Sequence, residues 1–234
     1  MSAVQHIART GQFLARVSDL TSLSPRMRRI TLAAPAVADQ SWPLACDIAV
    51  VLSDTDFDRE VRRRYTVRAT TGDSLVVDAV LHGQGPGSTW AAGLSVGDEV
   101  TFFGPRGEVP LPDPNAWALA LTDESGLPAI AALCEAMDRP VQVLAEVADP
   151  SEHYPLPAQA SVRWLDRNGL PAGAPDLLTA ALADLEAPSG PGYAYVIGES
   201  RVAVALRDSL GRFGLSRADV YAKGYWNLNS RPTR

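Results

Sequence analysis

Apolar and polar positions alternate with period two through much of the first half of the chain. Phe13, Ala15 and Val17 alternate cleanly, and Met27, Ile30 and Leu32 less so. Residues 46–52, 65–69, 74–81 and 99–103 read as further strands, with Leu75, Val77, Ala79 and Leu81 on one face. Successive strand residues point to opposite sides, so this alternation predicts half-buried strands. Short strands at such spacing, broken by Pro and Gly, predict an antiparallel barrel. Leu111-Pro112-Asp113-Pro114 reads as a linker.

Beyond the linker the period changes. Residues 117–121, 141–147, 162–165 and 193–197 are apolar runs of strand length, and a last strand begins at 219–221. Between them, residues 127–137 have a helical pattern with Ile130, Leu133, Cys134 and Met137 on one stripe. Residues 174–185 read as a helix capped by Asp176, and residues 200–212 as another. Strand–helix alternation predicts a parallel sheet with helices on its faces. The expected fold is therefore β followed by α/β. An antiparallel β-barrel domain spans 1–112, and a parallel-sheet α/β nucleotide-binding domain spans 113–234.

The 234 residues carry 46% apolar and 21% charged residues, an ordinary globular balance. A net charge of −6 argues against general nucleic-acid binding. The charge is uneven: Arg59, Arg62, Arg63, Arg64 and Arg68 lie beside the acidic stretch 54–58, which suits a small anionic ligand. Cys46 and Cys134 sit in apolar contexts and read as core residues. His6, His82 and His153 are scattered, so no metal site is expected. No apolar run approaches the roughly 20 residues of a membrane helix, and the start Met1-Ser2-Ala3-Val4-Gln5-His6 shows no secretory signal, so a cytoplasmic chain is expected.

Two segments carry candidate chemistry. On a strand, Arg64, Thr66 and Arg68 share one side, while Tyr65 and Val67 take the other. An arginine fork suits a phosphate, an aromatic ring suits a flat heterocycle, and a hydroxyl reaches a ring nitrogen; a flavin dinucleotide presents all three. The same run also reads as an exposed basic strand with a half-buried tyrosine. Downstream come His82, Gly83, Gly85, Pro86, Gly87, Ser88, Thr89 and Trp90. Ser88 or Thr89 is expected to cap a helix that begins near Trp90. A glycine turn running into a helix amino end favours anions; the alternative is an ordinary turn.

The pattern Arg-x-Tyr-Thr-Val-Arg, here Arg63-Arg64-Tyr65-Thr66-Val67-Arg68, resembles the flavin-binding motif of the ferredoxin–NADP reductase superfamily. The glycine turn, then Val96-Gly97-Asp98-Glu99-Val100 and Gly104-Pro105-Arg106-Gly107, narrow the resemblance to the siderophore-interacting protein family. Asp123-Glu124-Ser125-Gly126-Leu127-Pro128, Gly198-Glu199-Ser200 and Gly224-Tyr225-Trp226 continue it in order, from about residue 12 to residue 226. The resemblance implies FAD in the first domain and NAD(P)H in the second. The implied activity is reduction of a ferric siderophore in the cytoplasm, with no protein nucleophile and no resident metal.

Asp123, Glu124, Ser125, Gly198 and Glu199 would flank the nicotinamide. Arg201 would favour NADPH, and Tyr225 and Trp226 would lie near the flavin ring. Lys223, the only lysine, would meet the anionic siderophore, with Arg106 and Arg68 as neighbours. A monomer or weak dimer is expected. The family often has a lysine on the strand at 48–52 and an arginine after the terminal Trp; here those places hold Ile48 to Leu52 without a base, and Asn227. Its usual Gly, Thr and Ala are Thr122, Ser125 and Gly126 here. Thr122 is expected to crowd a pyrophosphate and weaken nicotinamide binding, which leaves a reduced ferredoxin, or no donor at all in a binding module, as alternatives.

Overall fold

The computed structural model describes residues 11–52, 61–83, 85–186 and 188–228. Arg59, the acidic stretch 54–58, His6 and Gln84 lie outside them. The chain divides into two compact units, 1–109 and 110–234.

The first unit is a closed six-stranded barrel built from β1 (Gln12–Ser24), β2 (Met27–Ala33), β3 (Asp47–Leu52), β4 (Val61–Thr71), β5 (Ser74–Val80) and β6 (Glu99–Arg106). Its order is β1-β2-β5-β4-β3-β6, with β6 returning to β1 and every pairing antiparallel. Closure leaves no free strand edge. The alternating apolar residues fill the interior: Phe13, Val17, Ile30, Leu32, Ile48, Leu75, Val77 and Phe102 are buried together. Phe13 stacks on Phe102 with ring centroids 5.0 Å apart. Arg29 grips the buried Asp78 opposite it on β5 through two bonds of 2.7 and 2.8 Å.

Helix α1 (Pro86–Gly93) follows β5. Here the structure corrects the expected start near Trp90. Gly85 is the N-cap and Pro86 the first helical residue, a place where proline's missing N–H costs nothing. Ser88 therefore lies inside the first turn. Its hydroxyl accepts from His82 N at 2.8 Å and lies within bonding distance of the carbonyls of His82 and Val80. At the other end, the Arg28 guanidinium donates to the carbonyls of Ala91, Ala92 and Leu94 at 2.7–3.1 Å, where a cation complements the helix dipole. Strands β5 and β2 thus tie α1 at both ends.

The second unit is a five-stranded parallel sheet in the order β11-β10-β7-β8-β9. The strands are β7 (Trp117–Asp123), β8 (Val141–Val147), β9 (Ala160–Asp166), β10 (Gly192–Glu199) and β11 (Val220–Trp226). The segment read as a linker is anchored here: Tyr195 donates its hydroxyl to the Pro110 carbonyl at 2.8 Å, and Arg139 donates to the Asp113 carbonyl at 3.0 Å.

Three helix expectations are corrected. Helix α2 (Leu127–Glu135) is buried on every side over residues 127–134, because Ala129, Ala131 and Ala132 let neighbours close around it. Helix α3 (Asp176–Ala183) has Pro175 as N-cap without a side-chain bond, so Asp176 opens the helix instead of capping it. Helix α4 (Ser200–Ser209) stops at Ser209 and tightens into a 3-10 turn over Leu210–Phe213, ended by Gly214 in the left-handed region. The last strand runs on through Trp226, so Gly224-Tyr225-Trp226 is part of β11. Cys46 and Cys134 are both buried and unbridged. Among the described residues, no helix is long and apolar enough to cross a membrane.

Candidate functional site

In the first unit, β4 and α1 bring the two candidate segments together. The Tyr65 ring lies beside Trp90, with centroids 5.2 Å apart, and its hydroxyl donates to the Gly87 carbonyl at 3.2 Å. Burial pushes that hydroxyl's pKa up, so it stays a donor. Tyr65 and Val67 pack against the barrel core. On the opposite side Arg64 is exposed, Thr66 buried and Arg68 half-buried. Arg62 lies over the Phe103 ring at 3.9 Å. Among the described residues no side chain caps the first turn of α1, which suits its amide end to an outside anion. An uncapped helix end joined by Tyr65 to an arginine-bearing strand fits a dinucleotide diphosphate. Arg106 ends β6 and is exposed.

In the second unit, the carboxyl ends of β7, β10 and β11 meet at Asp123. This carboxylate accepts from Ser125 N at 2.9 Å, Glu199 N at 2.9 Å and the Trp226 indole at 2.8 Å, and the Ser125 hydroxyl also donates to it. Burial pushes the Asp123 pKa up, and the bonds from Ser125 and Trp226 oppose the shift. A β-carbon on Gly198 would lie 2.7 Å from the carboxylate, so only glycine lets Asp123 reach across to β10. Glu199 caps α4 by accepting from Arg201 N and Val202 N at 2.6 and 2.9 Å, and it also takes Leu228 N at 3.2 Å. Ser200 donates to the Trp226 carbonyl at 2.7 Å. Asp123 does not cap the helix that follows it: that helix has Gly126 as N-cap with no side-chain bond. Lys223 lies on β11 with its Nζ 5.2 Å from the Tyr225 ring centroid.

Thr122 does not crowd the approach. It is 1% exposed, and its hydroxyl donates to the Asp123 carbonyl at 3.0 Å. Its side chain occupies the space that a β-carbon on Gly126 would need, with Ile197 closing the other side. Relative to the family pattern, the small and large residues have changed places.

Sequence reading missed a second charged cluster. Arg167, just past β9, donates to Glu124 at 2.6 and 3.1 Å and to Glu146 of β8 at 3.2 Å. Its only trace in the sequence is a carboxylate near the end of an otherwise apolar strand, Val141-Gln142-Val143-Leu144-Ala145-Glu146-Val147. Burial pushes the Glu146 pKa up to about 7, against the pull of Arg167.

A closed antiparallel barrel followed by a five-stranded parallel sheet is the architecture of ferredoxin–NADP reductase-like flavoproteins. The fold is shared with a ferredoxin–NADP+ reductase from Plasmodium falciparum at TM-score 0.74, with 11% identity over 92% of this chain and 96% of that one. Within this class the chain belongs to the siderophore-interacting proteins. Residues 115–229 match the siderophore-interacting protein family, and residues 49–109 match the siderophore-interacting FAD-binding domain.

A siderophore utilization protein from T. fusca superposes at TM-score 0.84, with 32% identity over 94% of each chain. Ferric vibriobactin reductase ViuB of Vibrio cholerae is 34% identical over 178 residues, covering 72% of this chain and 65% of ViuB. The chain thus matches just under two thirds of that relative's length.

Proposed function

We propose that this protein is a flavin-dependent oxidoreductase that takes electrons from a nicotinamide dinucleotide through FAD and reduces ferric siderophores in the cytoplasm. The observation that carries the reading is the FAD-binding domain match over 49–109, which spans the β4 and α1 segments. In this reading Arg64 and the amide end of α1 hold the FAD diphosphate. Thr66 and the exposed side of β4 meet the ring system. FAD, when bound, accepts a hydride and passes electrons on singly, so one dinucleotide serves two ferric ions. Ferric iron prefers hard oxygen ligands and ferrous iron holds them less well, so reduction frees the metal.

Lys223 supplies a positive contact for an anionic ferric complex. Asp123 and Glu199 order the ends of β10 and β11 and so fix where Trp226 stands. The buried position of Thr122 supports a nicotinamide donor. The test is anaerobic reduction of the purified yellow protein by a nicotinamide dinucleotide, followed by addition of a ferric siderophore and a ferrous-specific chelating dye. Bleaching of the flavin, then its reoxidation with formation of the ferrous complex, is expected. A flavin that stays reduced in the presence of every ferric complex offered removes the reading.

A further inference from the structure

The edge formed by the ends of β7, β8 and β9 holds the cluster that electron transfer to iron leaves unused. Strand order reverses between β7 and β10, and dinucleotides bind open sheets across such a reversal. In that arrangement an acid at the end of the second strand, about twenty residues past the glycine turn, bonds the adenosine ribose 2′-hydroxyl; a nearby arginine accommodates a 2′-phosphate instead. Glu146 near the end of β8 stands where the acid belongs, and Arg167 after β9 stands where the arginine belongs. Arg201, the arginine singled out from the sequence, opens α4 after β10 on the other side of the reversal.

Arg167 is already engaged. It is 7% exposed, and two carboxylates occupy its terminal nitrogens: Glu124 takes both, and Glu146 shares one. Resting on the nicotinamide reading above, we propose that Glu124 and Glu146, by holding the Arg167 guanidinium, set this chain's preference toward NADH and against NADPH. A 2′-phosphate would have to displace Glu124 from both terminal nitrogens of Arg167. A neutral 2′-hydroxyl can donate to a carboxylate lone pair without disturbing either ion pair.

Calorimetric titration of the holoprotein, its flavin first reduced with dithionite so that no turnover occurs, measures both affinities directly. NADH is expected to bind at least tenfold more tightly than NADPH. In Glu124→Gln the ratio should fall fivefold or more. The wild-type ratio stands as a test whether or not the variant folds. Equal or tighter binding of NADPH by the wild-type protein overturns the inference while leaving the nicotinamide reading in place, as does an unchanged ratio in a folded Glu124→Gln variant. Absence of binding by either dinucleotide at millimolar concentration removes the nicotinamide reading, and this inference with it.

Discussion

Thr122 and Gly126 share one volume: the threonine side chain fills the place a β-carbon at 126 would take. Each residue makes sense only with the other. Gly126→Ala alone should cost about 1–3 kcal/mol through overpacking against Thr122 and Ile197. Thr122→Gly alone should also destabilise, by leaving a void. The double variant should recover part of the loss, with a coupling of about 0.5–3 kcal/mol. Urea melts of the four proteins measure it, and strictly additive losses would contradict the shared volume.

Asp123 satisfies donors from three strand ends, and an amide cannot do the same because half of it is a donor. Asp123→Asn should therefore lower stability by about 2–3 kcal/mol, and Trp226→Phe by about 1–2 kcal/mol through loss of a bond to a charged acceptor. Thermal melts decide the order. A Trp226→Phe loss larger than that of Asp123→Asn would place the strain elsewhere.

Glu146 gives the fold a pH dependence of known sign. Its folded pKa of about 7 lies above the ordinary glutamate value of 4.5, so the folded state holds this proton after the unfolded state has released it. The contribution is complete below pH 4.5 and is lost as pH rises through about 7, with an upper limit on the order of 3 kcal/mol. Glu146→Gln should flatten the slope of unfolding free energy between pH 5 and 7. An unaltered slope in the variant would assign the dependence to another group.

Arg64→Ala should weaken FAD binding by about 1.5–3 kcal/mol, the range for charge-assisted hydrogen bonds. Equilibrium dialysis of the apoprotein reads this directly. Wild-type affinity in the variant would move the diphosphate away from β4.

Lys223→Ala should raise KM for anionic ferric siderophores with little change in kcat. In the wild type KM should climb with ionic strength, since exposed charges are screened over about 8 Å at physiological salt. Steady-state assays at low and high salt check both. A variant that matches wild type on every ferric complex would remove Lys223 from the docking surface.

The barrel was legible because half-buried strands write their period into the sequence: Phe13, Ala15 and Val17 point inward as their spacing requires. The strand order was not, since nothing local in β3 tells it to pair with both β4 and β6. Ser88 misled because serine is a favoured N-cap, whereas here it bonds back to the end of β5 and Gly85-Pro86 starts the helix. The stripe read in α2 missed its full burial, because alanine is neutral to a periodicity argument. Arg167 was invisible for a different reason. Its two partners come from the ends of two other strands, and only the parallel register brings 124, 146 and 167 to one edge.

The two helices that flank the strand reversal, α2 and α4, present their amino ends to the same edge, but they are not equivalent hosts. Glu199 already supplies α4 with an anion, a carboxylate tenant that answers the amides of Arg201 and Val202. Among the described residues, no side chain caps the amino end of α2. The two helix ends therefore differ in local charge before any ligand arrives: the positive end of α4 is already answered by a carboxylate, and that of α2 is closed off by its own burial.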